Sequence, residues 1–299
     1  MKEKTVQILM TTYNGEKYLK EQLDSLLAQV GVSVKILVRD DGSTDSTTSI
    51  LNSYKSTGLV DWYSSEHLGA PRGFLDLINK SLEADYYAFC DQDDVWDKDK
   101  LQVATNTLSQ HIDSLPLLYY SGLRAVDDNL SPLFVHRLDV KRSMRTNFLM
   151  SNIAGCTAVF NKRLKDILSF RFPRYFQMHD NWVLMVCLSV GGIVEVDPNP
   201  HISYRQHGNN TVGIGNSIIS KFKEAHHYIV DRRIKDQCVS LVECYGDEMT
   251  PEYRKFVQQI CEYDSSFRNK VLFAFFNDFN YHSFSLNLLM RFKILIGKL

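Results

Sequence analysis

Apolar positions in the first hundred residues follow two patterns that alternate along the chain. Short aliphatic and β-branched runs, typical of buried strands, are separated by stretches whose apolar residues repeat at helical spacing. The predicted strands are 6–12, 34–38, 60–64 and 86–90, and the predicted helices are 18–29, 46–54 and 74–82. This rhythm predicts βαβ units, and therefore an α/β fold with a mostly parallel central sheet flanked by helices.

The pattern loosens beyond residue 98. It predicts helices 101–111 and 180–190 and strands near 117–120 and 158–160, which we assign to the same domain up to about residue 215. Farther on it is helical, and the predicted helices are 221–242, 251–267 and 283–299. We therefore expect one domain over 1–215, with halves 1–98 and 99–215, and a C-terminal helical extension over 216–299.

Composition and charge narrow the class of protein. Apolar residues make up 44% of the chain and charged residues 23%, which is typical of a globular protein with a packed core. The 34 basic and 35 acidic residues nearly cancel, so we expect no nucleic-acid partner. Six cysteines without metal-ligand spacing, and an N-terminus without a signal-peptide pattern, predict free thiols and a cytoplasmic location.

Unusual polar residues follow three of the predicted strands. These segments are 11–15, 39–45 and 91–94. Ligands of parallel sheets bind beyond the carboxyl ends of the strands, so we expect the three segments to meet at one crevice. The two carboxylates of Asp91 and Asp93 could share a Mg²⁺ or Mn²⁺ ion, although a solvated turn that caps a helix would have the same composition. Asp41 could accept the ring N–H of uracil or thymine, or belong only to a turn.

Taken together, these segments resemble the nucleotide-sugar site of the family 2 glycosyltransferases, which have the GT-A fold of nucleotide-diphospho-sugar transferases. The order matches, because Thr12–Gly15 follow the first strand, Asp40–Ser43 the second and Asp91–Asp93 the fourth. The resemblance covers about residues 5–210 and is greatest to bacterial rhamnosyltransferases of polysaccharide assembly, which share the stretch Asp91–Trp96. It implies metal-dependent, inverting transfer of a sugar to a saccharide acceptor.

The resemblance also implies roles for individual residues in the two halves of the domain, a nucleotide-sugar half and an acceptor half. Around the nucleotide sugar it places Thr11, Thr12, Tyr13, Asp41, Arg72, Asp91 and Gln92. The Mg²⁺ or Mn²⁺ ion is expected on Asp91, Asp93 and His207. On the acceptor or phosphate side it places Gly155, Trp182 and Arg205. An exposed loop arginine at 72, a tight turn at 155 and a structural histidine at 207 are the alternatives.

The catalytic base implied by the resemblance is Asp180, which would deprotonate the acceptor hydroxyl. The family usually has an acidic pair at this position, and His179 replaces the first acid here. An acid at the start of a predicted helix can also serve only as its N-cap. The sequence therefore predicts a single carboxylate for catalysis at this position.

The sequence leaves alternatives for the sugar donor and for the class of function. By resemblance we favour dTDP-L-rhamnose, with a UDP-sugar (galactofuranosyl, galactosyl or glucosyl donor) as the alternative. The non-enzymatic alternative is a catalytically degenerate subunit that binds carbohydrate. A sugar nucleotidyltransferase is disfavoured because its glycine-rich N-terminal loop is missing, and neither dinucleotide nor phosphate-loop glycine motifs occur.

The last residues of the chain, 284–299, combine leucine, isoleucine and phenylalanine with Arg291, Lys293 and Lys298 and contain no acid. A basic amphipathic helix of this kind can lie on the inner face of the cell membrane, where a lipid-linked acceptor would be found. The alternative is a terminal helix that packs on the protein core or on a second subunit of a homodimer.

Overall fold

A computed structural model describes residues 3–206, 233–277 and 279–299 of the chain. Among these residues the strands are β1 Thr5–Thr12, β2 Ser33–Asp40, β3 Val60–Ser64, β4 Tyr86–Cys90, β5 Val95–Trp96, β6 Leu117–Val126, β7 Pro132–His136, β8 Val159–Asn161 and β9 Ile193–Arg205. The helices are α1 Leu19–Leu27, α2 Thr47–Lys55, α3 Ala70–Lys80, α4 Lys100–Leu108, α5 Met144–Leu149, α6 Lys162–Leu168, α7 His179–Ser189, α8 Ile234–Tyr245, α9 Pro251–Glu262, α10 Phe267–Phe276 and α11 Phe284–Leu295.

The strands form one sheet in the order β3-β2-β1-β4-β8-β6-β9-β5, and β7 pairs with β6. Strand β1 is parallel to both of its neighbours, with Thr12 opposite Asp40 of β2 and Met10 opposite Cys90 of β4. The carboxyl ends of these three strands therefore reach the same edge of the sheet. This parallel half confirms the predicted βαβ units and the α/β class of the fold.

The other half of the sheet is mixed. Strand β8 is antiparallel to β4 and β6, whereas the long β9 runs parallel to β6 with shifts of register near Gly122. A Cβ atom on Gly122 would lie 2.7 Å from the carbonyl oxygens of His136 and Pro198. Only a residue without a side chain allows β7 and β9 to approach β6 so closely at this point.

The described residues divide into two compact units. The first holds the whole sheet and consists of residues 3–138, 153–170 and 192–206. The second is helical and consists of residues 139–152, 171–191, 233–277 and 279–299. Helices α5 and α7 thus cluster with the C-terminal helices, although the expected boundary at residue 215 assigns them to the α/β domain. The expected domain limits stay a prediction.

Helix lengths and apolar content show whether any segment can cross a bilayer. Within the described part of the chain, no helix is both long enough and apolar enough to do so. Helix α11, for example, has 12 residues, which corresponds to about 18 Å at 1.5 Å per residue.

Candidate functional site

The loops that follow β1 and β2 are tied to each other by hydrogen bonds. Asn14 has a left-handed backbone with φ 46°, its N–H donates to Ser43 Oγ at 2.9 Å, and its Oδ1 accepts from the N–H of Thr44 at 2.8 Å. The N–H of Gly15 donates to Thr47 Oγ1 at 2.8 Å. These bonds hold both loops as one polar rim at the carboxyl edge of the sheet.

Gln92, expected near the nucleotide, connects this rim to the loop after β4. Its Oε1 accepts from Thr12 Oγ1 at 2.6 Å and from the N–H of Tyr13 at 2.9 Å, and its Nε2 donates to the carbonyl of Tyr13 at 3.3 Å. The amide group is therefore engaged in positioning Thr12 and Tyr13. A direct contact of Gln92 with a nucleotide stays a prediction.

Because Gly15 has no side chain, the amide group of Gln92 fits beside it. A Cβ atom at this position would lie 2.5 Å from Gln92 Oε1 and 2.9 Å from Thr12 Oγ1. We expect Gly15→Ala to lower the free energy of unfolding by about 1–3 kcal/mol, because overpacking costs about that much. Urea denaturation of Gly15→Ala, Gln92→Ala and the double variant would measure the coupling. If Gly15→Ala lowered the free energy of unfolding equally in the Gln92→Ala background and in the unchanged protein, this account would be contradicted.

Asp41 is held by a buried arginine at the end of β2. Arg39 is 0% exposed, its Nε lies 2.8 Å from Asp41 Oδ1, its Nη1 donates to Asp76 at 2.8 Å and its Nη2 to the carbonyl of Glu66 at 2.6 Å. Asp76 and Glu66 thus anchor the guanidinium, and its Nε forms an ion pair with one oxygen of the Asp41 carboxylate. Arg39 was not predicted as a functional residue. A basic residue placed between the apolar run Ile36–Val38 and two acids is the signal that would have indicated it.

The ring of His67 lies beside Asp41, and the ring of Tyr13 lies next to that of His67. The exposed His67 has its Nδ1 3.6 Å from Asp41 Oδ2, and its ring centroid lies 5.1 Å from that of Tyr13. His67 is also a residue that the sequence analysis missed. Arg72 is exposed in the first turn of α3, and Thr11 is half-buried near the end of β1. The structure therefore brings Tyr13 and Asp41 together, while the nucleotide contacts of Thr11 and Arg72 stay predictions.

Hydrogen bonds from Arg205 hold the turn after β4 in place. The N–H of Arg205 donates to Asp94 Oδ1 at 3.1 Å and its Nε donates to the carbonyl of Asp93 at 2.8 Å. The other guanidinium nitrogens donate to the carbonyl of Asp128 and to the carboxylate of Glu21. Because this buried guanidinium already has these partners, we assign Arg205 to holding the turn. Its expected contact with phosphate stays a prediction.

The acids of this turn are the candidate metal ligands. Asp91 and Asp93 are half-buried, whereas burial, with repulsion from Asp93 and Asp91, raises the pKa of the fully buried Asp94 well above its usual value. Ligand atoms of Asp91, Asp94 and Cys156 lie within 4.8 Å of one another. Burial also raises the pKa of the Cys156 thiol, so the half-buried carboxylates of Asp91 and Asp93 are the groups in this turn that suit a hard cation such as Mg²⁺ or Mn²⁺. His207 lies outside the described residues.

A buried lysine lies close to this acidic turn. Lys100 is buried, its Nζ lies 3.3 Å from the ring centroid of Trp96, and burial lowers its pKa to about 8. The charges of Asp94 and Asp97 favour the ammonium form and oppose part of this shift. The positive charge of Lys100 balances part of the negative charge of the turn. The sequence analysis missed this residue because its burial depends on the packing of α4.

The predicted base lies in the helical unit, at the start of α7. Asp180 is buried in the first turn, and its Oδ1 accepts from the N–H of Asn181 at 2.6 Å. Burial lowers the pKa of His179 to about 3, so this histidine is neutral near pH 7. It therefore does not replace the second charge of an acidic pair. The role of Asp180 in catalysis stays a prediction.

Two residues expected on the acceptor or phosphate side are buried. Trp182 is fully buried in the helical unit, with ring centroids 6.0 Å from Phe176 and 6.1 Å from Tyr245. This packing places the indole in the core of the helical unit, and the expected place of Trp182 on the acceptor or phosphate side stays a prediction. Gly155 begins a buried 3₁₀ turn, Gly155–Thr157, in the sheet unit. Its contact with an acceptor stays a prediction.

Comparisons with known sequences identify a family of enzymes. The model of Glycosyl transferase family 2 matches residues 7–170. The dTDP-rhamnosyl transferase RfbG of Shigella flexneri is 30% identical over 235 residues, which are 72% of this chain and 77% of that protein. An uncharacterized glycosyltransferase of Rickettsia typhi is 29% identical over 158 residues, and the match spans 51% of this chain and 48% of that protein.

Comparisons with solved structures support the same fold. The structure of S. aureus TarS 1-349 covers 98% of this chain with a TM-score of 0.57 and 15% sequence identity, and 79% of that chain is matched. The complex of TarS 1-349 with UDP-GlcNAc covers 90% of this chain with a TM-score of 0.57 and 16% identity, and 83% of that chain is matched. At this level of identity the likeness concerns the fold.

Proposed function

The chain belongs to glycosyl transferase family 2 and is a glycosyltransferase, and from this premise we propose that it moves a sugar from a nucleoside diphosphate to a saccharide acceptor. The observation that carries the proposal is the edge of the sheet where β1, β2 and β4 end together. There the backbone N–H of Asp41 donates to the carbonyl of Thr12, and Gln92 of the turn after β4 binds both Thr12 and Tyr13. This is one polar site built from three distant segments.

We place the base of the donor nucleotide at Asp41. The carboxylate is oriented by Arg39, so it can accept the ring N–H that uracil and thymine share. The ring of His67 lies beside it and contacts the ring of Tyr13, and both rings offer stacking surface to the base or ribose. The similarity to a dTDP-rhamnosyl transferase favours dTDP-L-rhamnose over UDP-sugars as the donor.

The diphosphate of the donor needs charge compensation when it leaves. Asp91 and Asp93 would hold the divalent cation, Mg²⁺ or Mn²⁺, and His207 is the proposed third ligand. When bound, this ion would neutralise charge on the departing nucleoside diphosphate. The buried Asp94 and Arg205 keep the turn in place through the bond of 3.1 Å between them.

We assign the removal of the acceptor proton to Asp180. Its carboxylate would accept the proton of the attacking hydroxyl, which displaces the nucleoside diphosphate from the opposite face of the sugar and inverts the anomeric carbon. A neutral His179 beside it does not compete for that proton near pH 7, since its pKa is about 3. The acceptor we propose is a saccharide, carried on a lipid, in the synthesis of a cell-surface polysaccharide.

A thermal-shift screen of nucleotide sugars tests the donor. With metal present and dTDP-L-rhamnose at about 100 times its dissociation constant, we expect about 2.7 kcal/mol of stabilisation. This corresponds to a rise in Tm of about 5–10 °C. ADP-glucose is the control, because adenine lacks the ring N–H that uracil and thymine share.

The outcomes of this screen separate the alternatives. A shift with UDP-sugars alone would replace the rhamnose donor but keep the transferase. Donor binding without any release of nucleoside diphosphate, in the presence of candidate acceptors and metal, would instead favour a carbohydrate-binding subunit. No shift with any pyrimidine sugar nucleotide would contradict the proposed site.

A further inference from the structure

Helix α11 has an exposed row of large apolar side chains. Phe284, Leu288, Phe292 and Ile296 follow one another at intervals of four residues and are 85%, 60%, 57% and 46% exposed. Residues four apart lie on the same side of a helix, so these side chains form a single stripe. The buried residues of α11 are Met290, Lys293 and Ile294. The helix thus packs with one side and leaves a second apolar side uncovered.

Helix α10 extends this stripe. The two helices lie antiparallel, since the N–H of Leu299 donates to Tyr263 Oη at 2.9 Å and the Arg291 guanidinium lies 5.2 Å from the ring centroid of Phe275. Exposed apolar residues on α10 add to the surface. We define the C-terminal apolar face as Leu272, Phe275, Phe276, Phe284, Leu288, Phe292 and Ile296.

Basic residues predominate along the segment that carries this face, and Asp139 from another segment pairs with His282 beside it. Residues 265–299 contain the basic residues Arg268, Lys270, Arg291, Lys293 and Lys298 and a single acid, Asp278. Lys293 is buried, whereas Arg268 and Lys298 are exposed. Contiguous exposed apolar surface marks a site of interaction, and basic side chains around it favour an anionic partner.

We propose that the C-terminal apolar face docks on an anionic lipid bilayer. The phenylalanine and aliphatic side chains would enter the boundary between headgroups and acyl chains, while Arg268 and Lys298 contact anionic headgroups. Pairing of two copies through this face is disfavoured, because a two-fold interface places the same surface on both subunits and would bring the basic residues together. The docking goes beyond the proposed transfer reaction and does not depend on the identity of the donor.

Flotation of the full chain with lipid vesicles tests the docking. We expect binding to vesicles that contain phosphatidylglycerol and little binding to vesicles of phosphatidylcholine alone. The double variant Phe284→Ser/Phe292→Ser should bind the anionic vesicles about 100-fold more weakly, because two exposed aromatic rings no longer enter the bilayer. Arg268→Gln/Lys298→Gln should weaken binding about tenfold or more, from the loss of two charges near the surface.

Matched controls keep this test independent of folding and of catalysis. Phe172→Ser replaces an exposed phenylalanine of another segment and should bind the vesicles like the unchanged protein. Thermal unfolding and donor binding should be unaltered in the Phe284→Ser/Phe292→Ser variant, since both side chains are exposed. Equal flotation of this variant and the unchanged protein would overturn the proposal. So would a dimer, detected by light scattering, that the same variant dissociates.

Discussion

Asp180→Asn is expected to lower the rate of sugar transfer by about 1,000-fold, the middle of the range for loss of a general base. Asparagine has nearly the same shape but cannot take the proton of the acceptor hydroxyl. Its side-chain oxygen can still accept from the N–H of Asn181, which donates to Asp180 at 2.6 Å, so the start of α7 should be kept. Transfer would be measured as nucleoside diphosphate released with acceptor present.

Two further measurements separate loss of the base from loss of donor binding or of folding. Donor affinity of Asp180→Asn, measured by calorimetry, should stay within about twofold of the unchanged protein, because the proposed donor site lies on other segments. Asp247→Asn replaces an exposed acid of the same helical unit and should transfer at the normal rate. Normal turnover of Asp180→Asn would remove this carboxylate from the role of base.

Asp93→Ala is expected to abolish the metal-dependent part of donor turnover, a loss of about 100-fold to 10,000-fold. A bound cation contributes several kcal/mol of charge stabilisation to such reactions, and the substitution removes one of its proposed ligands. The fold should be preserved, because Arg205 Nε donates to the backbone carbonyl of Asp93, at 2.8 Å, and not to its side chain. Turnover would be compared with Mn²⁺ or Mg²⁺ added and with excess chelator.

A second cluster of acidic side chains in the sheet unit provides the matched control for Asp93→Ala. Ligand atoms of Asp97, Asp99 and His201 also lie within 4.8 Å of one another, but Asp97 is paired with Arg124. Asp99→Ala removes a carboxylate from this group and should leave metal-dependent turnover unchanged. Full activity of the unchanged protein in chelator would contradict the metal assignment, whatever the behaviour of Asp93→Ala.

Much of the parallel half of the sheet could be predicted from local pattern. Strands β3 and β4 have the predicted limits, 60–64 and 86–90. Strand β1 is one residue longer than predicted, and β2 begins one residue earlier and ends two residues later. In this half, buried strands are continuous apolar runs and helices have a clear period, so a window of a few residues carries the signal. The order of the three polar segments followed from the same pattern.

The mixed half was harder to predict. Strand β9 contains Pro198 and Pro200, which do not favour a strand, and it is held by pairing with β6 across shifts of register. Helix α10, Phe267–Phe276, was not predicted, and the predicted helix 251–267 ends at Glu262. Long-range pairing overrides local preference at these places.

The sequence by itself determined the residue types at the strand ends, the parallel half of the fold and the family of enzymes. Only the tertiary structure decided that Arg39 orients Asp41, that Gln92 links two loops and that Trp182 belongs to the core. It also decided that α11 buries Lys293 while Phe292 faces outward. The physical reason is that local periodicity depends on neighbours in the chain, whereas burial and hydrogen-bond partners depend on segments far away in sequence.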